Sequence, residues 1–293
     1  MKLLGLEDRE IFEEYLKRDS HSLSYFSFVN IFIWRNLFEI SYLKIRDSLC
    51  VFFKDRTGVF MSLPPLGNIE EKTVFETFEI MDRINENESV SRIENVEEKD
   101  LGLYKKLRFK FRLKDREYIY LRDDLVSLKG DRFKSKRNSY NYFSRNYKPQ
   151  YLDYSPDMKE DCLSLYRRWS EDRKKKIFDP IYQEMLDNNF SCFKIALDNY
   201  KELNLKGKLL RVDGNLCGVS IGFQLNERTF CILFEITDLR YKGASQFIFR
   251  EFCKELFPYE YINTMGDSGL ENLRSVKLSY QPILEAPEYI ITR

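Results

Sequence analysis

Residues 208–256 read KLLRVDGNLCGVSIGFQLNERTFCILFEITDLRYKGASQFIFREFCKEL, and this run sets the fold class. KLLRV and LCGVSIGFQL are β-rich segments separated by the turn Asp213-Gly214-Asn215, and TFCILFEITD follows after Asn226. Apolar and β-branched runs punctuated by Asp-Gly and Asn predict a three-stranded antiparallel meander. Directly after the third strand come Asp238-Leu239-Arg240-Tyr241-Lys242-Gly243-Ala244 and the amphipathic segment SQFIFREFCKEL. A strand, a glycine turn flanked by Arg240 and Lys242, and a helix start can cradle an anion, because free backbone N–H groups and the helix dipole face the ligand. Any short turn into a helix can also carry a glycine, so both readings stay open.

Working toward the C-terminus, YEYINTMGDSG (259–269) reads as a strand, LENLRSVKLSYQP (270–282) as a helix and EYIITR (288–293) as a closing strand. Strands and helices in this order predict an α+β fold, a mixed sheet flanked by helices.

Upstream, DMKEDCLSLYRRWSEDRKKK (157–176) places Met158, Cys162, Leu165 and Trp169 on one helical face. Its terminal Lys174, Lys175 and Lys176 complement the helix dipole. Pro149 and Pro156 mark an exposed joint, which predicts two domains at 1–150 and 151–293. The first contains KFRLKDREYIYL (110–121), SLCVFFKD (48–55) and ISYLKIR (40–46) as strands, with GVFMSLPPLG (58–67) closing the last two. KTVFETFEIMDRIN (72–85) is an amphipathic helix through Val74, Phe75, Phe78 and Met81, and LEDREIFEEYLKRD (6–19) is another. The aromatic run SLSYFSFVNIFIWRNLF (22–38) is expected to form a core-packed helix.

The formal charge of +1 hides an uneven layout. Residues 69–100 carry eleven Asp or Glu against four Lys or Arg, whereas KGDRFKSKRNSYNYFSRNYK (129–148) carries seven Lys or Arg against one Asp. Five aromatics interleave with those cations. Cations suit phosphates and flat rings suit bases or apolar ligand parts, so the segment fits a phosphate-bearing partner. A solvated basic helix with its aromatics in the core fits the same composition.

Six scattered cysteines without a CxxC pair, and an opening MKLLGLEDRE without an apolar signal, predict a reduced, cytoplasmic chain. No window reaches the ~18 apolar residues of a membrane span, so lipid contact would be peripheral. His21 is the sole histidine, which excludes a multi-histidine metal site, and no metal is expected. Neither GxxxxGK[ST] nor GxGxxG occurs, against nucleotide triphosphatase and dinucleotide readings. The pair Asp123-Asp124 reads as helix capping or a solvated turn.

The turn Arg240-x-x-Gly243-Ala244 is similar to the pyrophosphate loop of the GNAT N-acetyltransferase superfamily. More widely, the sequence resembles the phosphatidylglycerol lysyltransferase C-terminal family and its stand-alone relatives. The resemblance runs through PPLG (64–67), Tyr118-Ile119-Tyr120, Asp124-Leu125, Leu128-Lys129-Gly130, and Lys136-Arg137-Asn138 with Asn141. It continues through Leu210 to Gly214, Phe234-Glu235, Lys242-Gly243-Ala244, Asn263, Asp267, Gly269 and LRSVKLSYQP (273–282).

This resemblance implies two tandem GNAT-like domains and a transferase that moves an aminoacyl group from a charged tRNA to an amine or hydroxyl. On the matching positions it implies Glu235, Asp267 and Lys277 at the reaction centre, with Glu235 or Asp267 as base and Lys277 stabilising an oxyanion. It further implies substrate contacts by Lys136, Arg137, Asn138, Arg240, Lys242, Gly243, Asn263, Arg274 and Tyr280. No permanently bound cofactor is implied; aminoacyl-tRNA or acyl-CoA would be a co-substrate. The acceptor would be a small molecule, a peptide or a lipid headgroup. The full-length enzymes of the family carry a long membrane portion ahead of this region, so a soluble acceptor is expected here. The family pattern usually continues Phe-Glu with Lys-Ala, where Ile236-Thr237 stand, and places Arg-Glu where Thr264-Met265 stand. The absent charges leave two alternatives beside aminoacyl transfer: an acyl-CoA-dependent N-acyltransferase and a non-catalytic binding module.

Overall fold

A computed structural model describes all 293 residues apart from the side chain of Glu88. The chain runs β1 (Lys2–Leu3), α1 (Arg9–Leu16), α2 (Phe28–Phe32), β2 (Glu39–Ile45), β3 (Ser48–Asp55), β4 (Gly58–Phe60), β5 (Leu66–Gly67) and α3 (Glu71–Ile84). Next come β6 (Ile93–Glu97), α4 (Leu101–Lys106), β7 (Lys110–Leu121), α5 (Arg122–Ser127), α6 (Lys134–Asn146) and β8 (Pro149–Asp153). Then follow α7 (Lys159–Lys174), α8 (Pro180–Asp198), β9 (Lys206–Val212), β10 (Asn215–Gln224) and β11 (Thr229–Thr237). The chain closes with α9 (Ala244–Glu255), β12 (Tyr261–Asn263), α10 (Glu271–Leu278) and β13 (Leu284–Thr292).

The compact units do not divide at residue 150. One comprises Met1–Glu117, Gly266–Gly269 and Glu285–Arg293; the other comprises Tyr118–Met265 and Leu270–Leu284. Pro149 opens strand β8, which pairs antiparallel with β9, so the stretch read as a joint is a sheet edge. Proline tolerates an edge because its missing N–H is not needed there.

In the first unit, β1, β2, β3 and β4 form an antiparallel sheet with β5 also on β3. Helix α3 buries Val74, Phe78 and Met81, spaced four and three residues apart, into a core with Phe52, Val59, Met61, Ile93 and Ile291. The expected helix over 22–38 is only the short α2. The polar residues that interrupt its apolar pattern are engaged instead: Ser24 donates its N–H (2.7 Å) and hydroxyl to Glu117, and Ser27 caps α2 by accepting from Asn30 N–H at 3.1 Å. Phe26, Phe28, Ile31 and Phe32 still enter the core.

In the second unit the sheet runs β8, β9, β10, β11, β12 and the end of β7. The meander is as expected: β9, β10 and β11 are antiparallel neighbours, and β11 then pairs parallel with the three-residue β12. β10 is buried from Leu216 to Phe223 because helices cover both faces. On one face α9 packs Ile248 near Gly218 and Thr237; on the other, Phe193 of α8 meets Phe234 edge-on at 5.1 Å. The six cysteines are buried free thiols, and Cys231 faces Phe223 across the hairpin rather than Cys217.

Candidate functional site

The site grows from the end of β11. Period-2 alternation puts Glu235 on the same face as Thr237, toward α9, opposite Ser220 of β10. Ser245, in the first turn of α9, donates its hydroxyl to Glu235 Oε1 at 2.9 Å. Burial pushes the Glu235 carboxyl up to about 7, against the opposing pull of the Ser245 hydrogen bond and the Lys277 charge. A carboxyl poised there exchanges protons near neutral pH, which is what a general base requires.

Lys277, in the last turn of α10, donates to the carbonyls of Thr264 and Met265 and to Thr264 Oγ1 at 3.3 Å. An ammonium has three N–H donors, and these three oxygens match them. Lys277 thus ties α10 to the chain leaving β12, and its positive charge favours the ionised form of Glu235. Tyr280 is buried by Phe249 and Tyr120 at ring distances of 5.0 and 6.4 Å. The Lys136 ammonium of α6 stands 4.3 Å from the centre of the Tyr280 ring. Burial lowers the Lys136 pKa, which leaves a partly desolvated cation beside the Tyr280 ring.

The other expected contacts separate by role. Arg137 donates to the carbonyls of Leu128 and, at 2.6 Å, Gly130. Both bonds come from Nη1, which fastens the turn ahead of α6 and leaves the Nε–Nη2 edge of the guanidinium outside these two contacts. Asn138 and Arg274 are exposed on α6 and α10. Asn263 is fully buried and accepts the Met265 N–H at 2.7 Å, shaping the chain after β12. Asp267 belongs to the first unit, where it accepts the Gly269 N–H at 2.9 Å across a tight turn. Arg240 chelates Asp238 at 3.0 and 3.1 Å, and Lys242 lies over the Tyr142 ring at 4.9 Å.

Gly243 begins α9 with φ of +90°, and a Cβ there would lie 2.3 Å from the Ser139 carbonyl oxygen of α6. The Ala244 N–H is bonded to Tyr241 O at 3.0 Å. The helix start that could cradle pyrophosphate is therefore packed against α6. Tyr140 stacks on Phe247 at 5.4 Å and its hydroxyl donates to Glu251 at 2.7 Å. Phe133, Tyr140, Phe143 and Tyr147 of the basic segment pack inward, while Tyr142 and the cations Lys129, Lys134, Arg145 and Lys148 are exposed.

Sequence reasoning did not single out Ser245, although a serine in the first turn after a strand carrying Glu235 was a usable signal. His21 pairs with buried Glu97 at 2.9 Å and stacks on Phe26 at 3.8 Å. Asp123 and Asp124 occupy the first turn of α5 and pair with Arg122 and Arg132.

The profile of the family described as phosphatidylglycerol lysyltransferase, C-terminal, matches residues 17–292. No functionally curated protein matched the sequence. Among solved structures, a conserved protein of unknown function from Bacteroides thetaiotaomicron is 30% identical, with a TM-score of 0.85 over 99% of this chain and 98% of that one. L-PGS from Bacillus licheniformis shares 16% identity at a TM-score of 0.68, covering 100% of this chain and 93% of that one. A tandem GNAT protein from the clavulanic acid biosynthesis pathway shares 7% identity at a TM-score of 0.52, covering 99% of this chain and 97% of that one. With its fold of two tandem GNAT-like domains, the chain belongs to the phosphatidylglycerol lysyltransferase C-terminal family.

Proposed function

We propose that this protein is a GNAT-like transferase that takes an aminoacyl group from a charged tRNA and passes it to an amine or hydroxyl acceptor. The observation that carries the reading is the half-buried Glu235 carboxyl held by the Ser245 hydroxyl at 2.9 Å, with desolvation raising its pKa to about 7. The acceptor nitrogen or oxygen attacks the ester carbonyl, Glu235 takes its proton, the acyl–oxygen bond breaks, and the ribose oxygen leaves with the proton that Glu235 returns. Lys136, beside the Tyr280 ring, is the cation best disposed to balance negative charge on the ester oxygen or on phosphate. The exposed cations of α6 supply the counter-charge for a polynucleotide backbone.

An acyl-CoA donor fits less well. It calls for open N–H groups near Lys242 to Ala244, where Ser139 and Tyr241 already stand. A binding module without turnover leaves the proton affinity of Glu235 without a use.

The test is release of uncharged tRNA from a mixed aminoacyl-tRNA pool, with a panel of small amines and alcohols as acceptors. Acceleration over buffer is expected, and Glu235→Gln should reduce it by about 10²- to 10⁴-fold. Thiol release from acyl-CoA with no deacylation of tRNA would replace this reading with the acyl-CoA one.

A further inference from the structure

Helices α7 and α8 form an antiparallel pair whose apex, residues 175–181, serves none of the chemistry above. Phe178 is 84% exposed and Ile181 80%, the two most exposed large apolar side chains among those described. They flank Asp179 and Pro180 and are preceded by Lys174, Lys175 and Lys176.

The apex backbone is well satisfied. Asp179 caps α8 by accepting the N–H groups of Ile181 (2.8 Å) and Tyr182 (3.1 Å), and Pro180 sits in the first turn, where its missing N–H costs nothing. Gln183 donates to Ile177 O at 3.3 Å, while the N–H groups of Lys176 and Ile177 bond to Arg173 O at 3.0 Å. Below the apex, the Tyr166 hydroxyl donates to Leu186 O at 3.0 Å and locks the two helices together. Phe178 and Ile181 are thus held outward by a formed turn, and little ordering entropy remains to be lost on contact.

The charges are graded along the pair. Lys174 pairs with Asp187 at 2.5 Å and Lys175 with Asp172 at 3.6 Å, carboxylates of the helix bodies, while Lys176 is exposed at the apex. Residues 173–178 hold Arg173 and the three lysines with no carboxylate.

We infer that this apex docks the protein on the surface of an anionic lipid bilayer, with Phe178 and Ile181 entering the acyl boundary and the lysines reaching the headgroups. Size decides against a protein partner, because a stable protein interface needs about 800 Å² per side and two side chains on a narrow apex fall far short. A bilayer needs no such area: apolar groups sink ~5–10 Å while lysine stems extend back to the phosphates. No helix among the described residues is long and apolar enough to cross a membrane, and the proposed contact is a peripheral one. This inference does not depend on the transfer chemistry.

The test is co-sedimentation of the full chain with phosphatidylcholine vesicles and with vesicles containing phosphatidylserine as the anionic lipid. Binding is expected to the anionic vesicles and to weaken with salt. Phe178→Ser with Ile181→Ser should weaken it at least ~10-fold, and each Lys175→Gln or Lys176→Gln change about 5-fold, with unaltered thermal midpoints. As an independent readout, the indole emission of Phe178→Trp should shift to the blue on adding anionic vesicles. Absence of sedimentation with either vesicle, equal binding to both, or binding that the serine variant leaves intact would each overturn the inference.

Discussion

Ser245 Oγ donates to Glu235 Oε1 at 2.9 Å, so the first turn of α9 restrains the rise in proton affinity that burial imposes on a carboxyl of the neighbouring strand. A hydrogen bond to a carboxylate favours the ionised form, so its loss raises the pKa further above 7. Ser245→Ala should move the acidic limb of the pH–rate profile up by about one unit, with a smaller change in the plateau. A pH series of single-turnover rates checks this, and an unmoved limb would separate Ser245 from catalysis.

The Glu288 carboxyl is 2% exposed, and burial raises its pKa to about 8, with Lys114 opposing and Glu117, Asp115 and Glu94 reinforcing the rise. Its Oε2 has no hydrogen-bond partner among the described residues. A raised folded-state value means the unfolded chain ionises first. Stability from this group is full below about 4.5 and declines as pH rises to about 8. Glu288→Gln should therefore match the parent near pH 4 and exceed it above pH 8 by roughly 3–5 kcal/mol. Urea melts across that range measure the difference.

Glu97 shows the opposite sign. Burial alone would raise its pKa, but hydrogen bonds from His21 and Ser22 and the charge of Lys99 hold it down near about 2. Its contribution is present above about 4.5 and disappears as pH falls toward 2. Glu97→Gln should cost about 3 kcal/mol at pH 7 and nothing near pH 2 in the same melts.

Arg137 and Lys134 lie three residues apart on the basic segment but should behave differently. Arg137→Ala removes the bonds to Leu128 and Gly130, so it should lower stability by about 1–3 kcal/mol in thermal unfolding. Lys134→Ala should leave the melt alone and reduce the log–log salt slope of tRNA binding by about 0.7–0.9. Equal slopes for Lys134→Ala and the parent would remove α6 from the proposed polynucleotide contact.

Gly243→Ala should be costly on two grounds. Its φ of +90° disfavours any Cβ, and that Cβ would meet the Ser139 carbonyl at 2.3 Å, a backbone atom that cannot rotate away. A loss above ~3 kcal/mol is expected, visible in thermal unfolding. A tolerated alanine would mean that α6 can lift from the start of α9.

Sequence alone determined the β9–β10–β11 meander, helix α9, the closing strand and helix α3, because each carries a local signal. Alternation, an Asp-Gly turn and apolar positions at helical spacing are written in consecutive residues. It also placed Glu235, through the family pattern on the third meander strand. Tertiary structure decided what those signals do not encode. Long-range pairing made Pro149–Asp153 an edge strand instead of a linker and returned Glu285–Arg293 to the first unit. Helix α8 was not read from sequence at all, since its polar and apolar residues sort into faces only against α7 and β11. Among the cations, Arg137 turned inward to backbone carbonyls, Lys277 to the chain after β12, and Lys136 to the Tyr280 ring. Their charge was legible in the sequence, but the partner each one found was set by the fold, because a long flexible side chain bonds to whatever oxygen or ring the packing brings within reach.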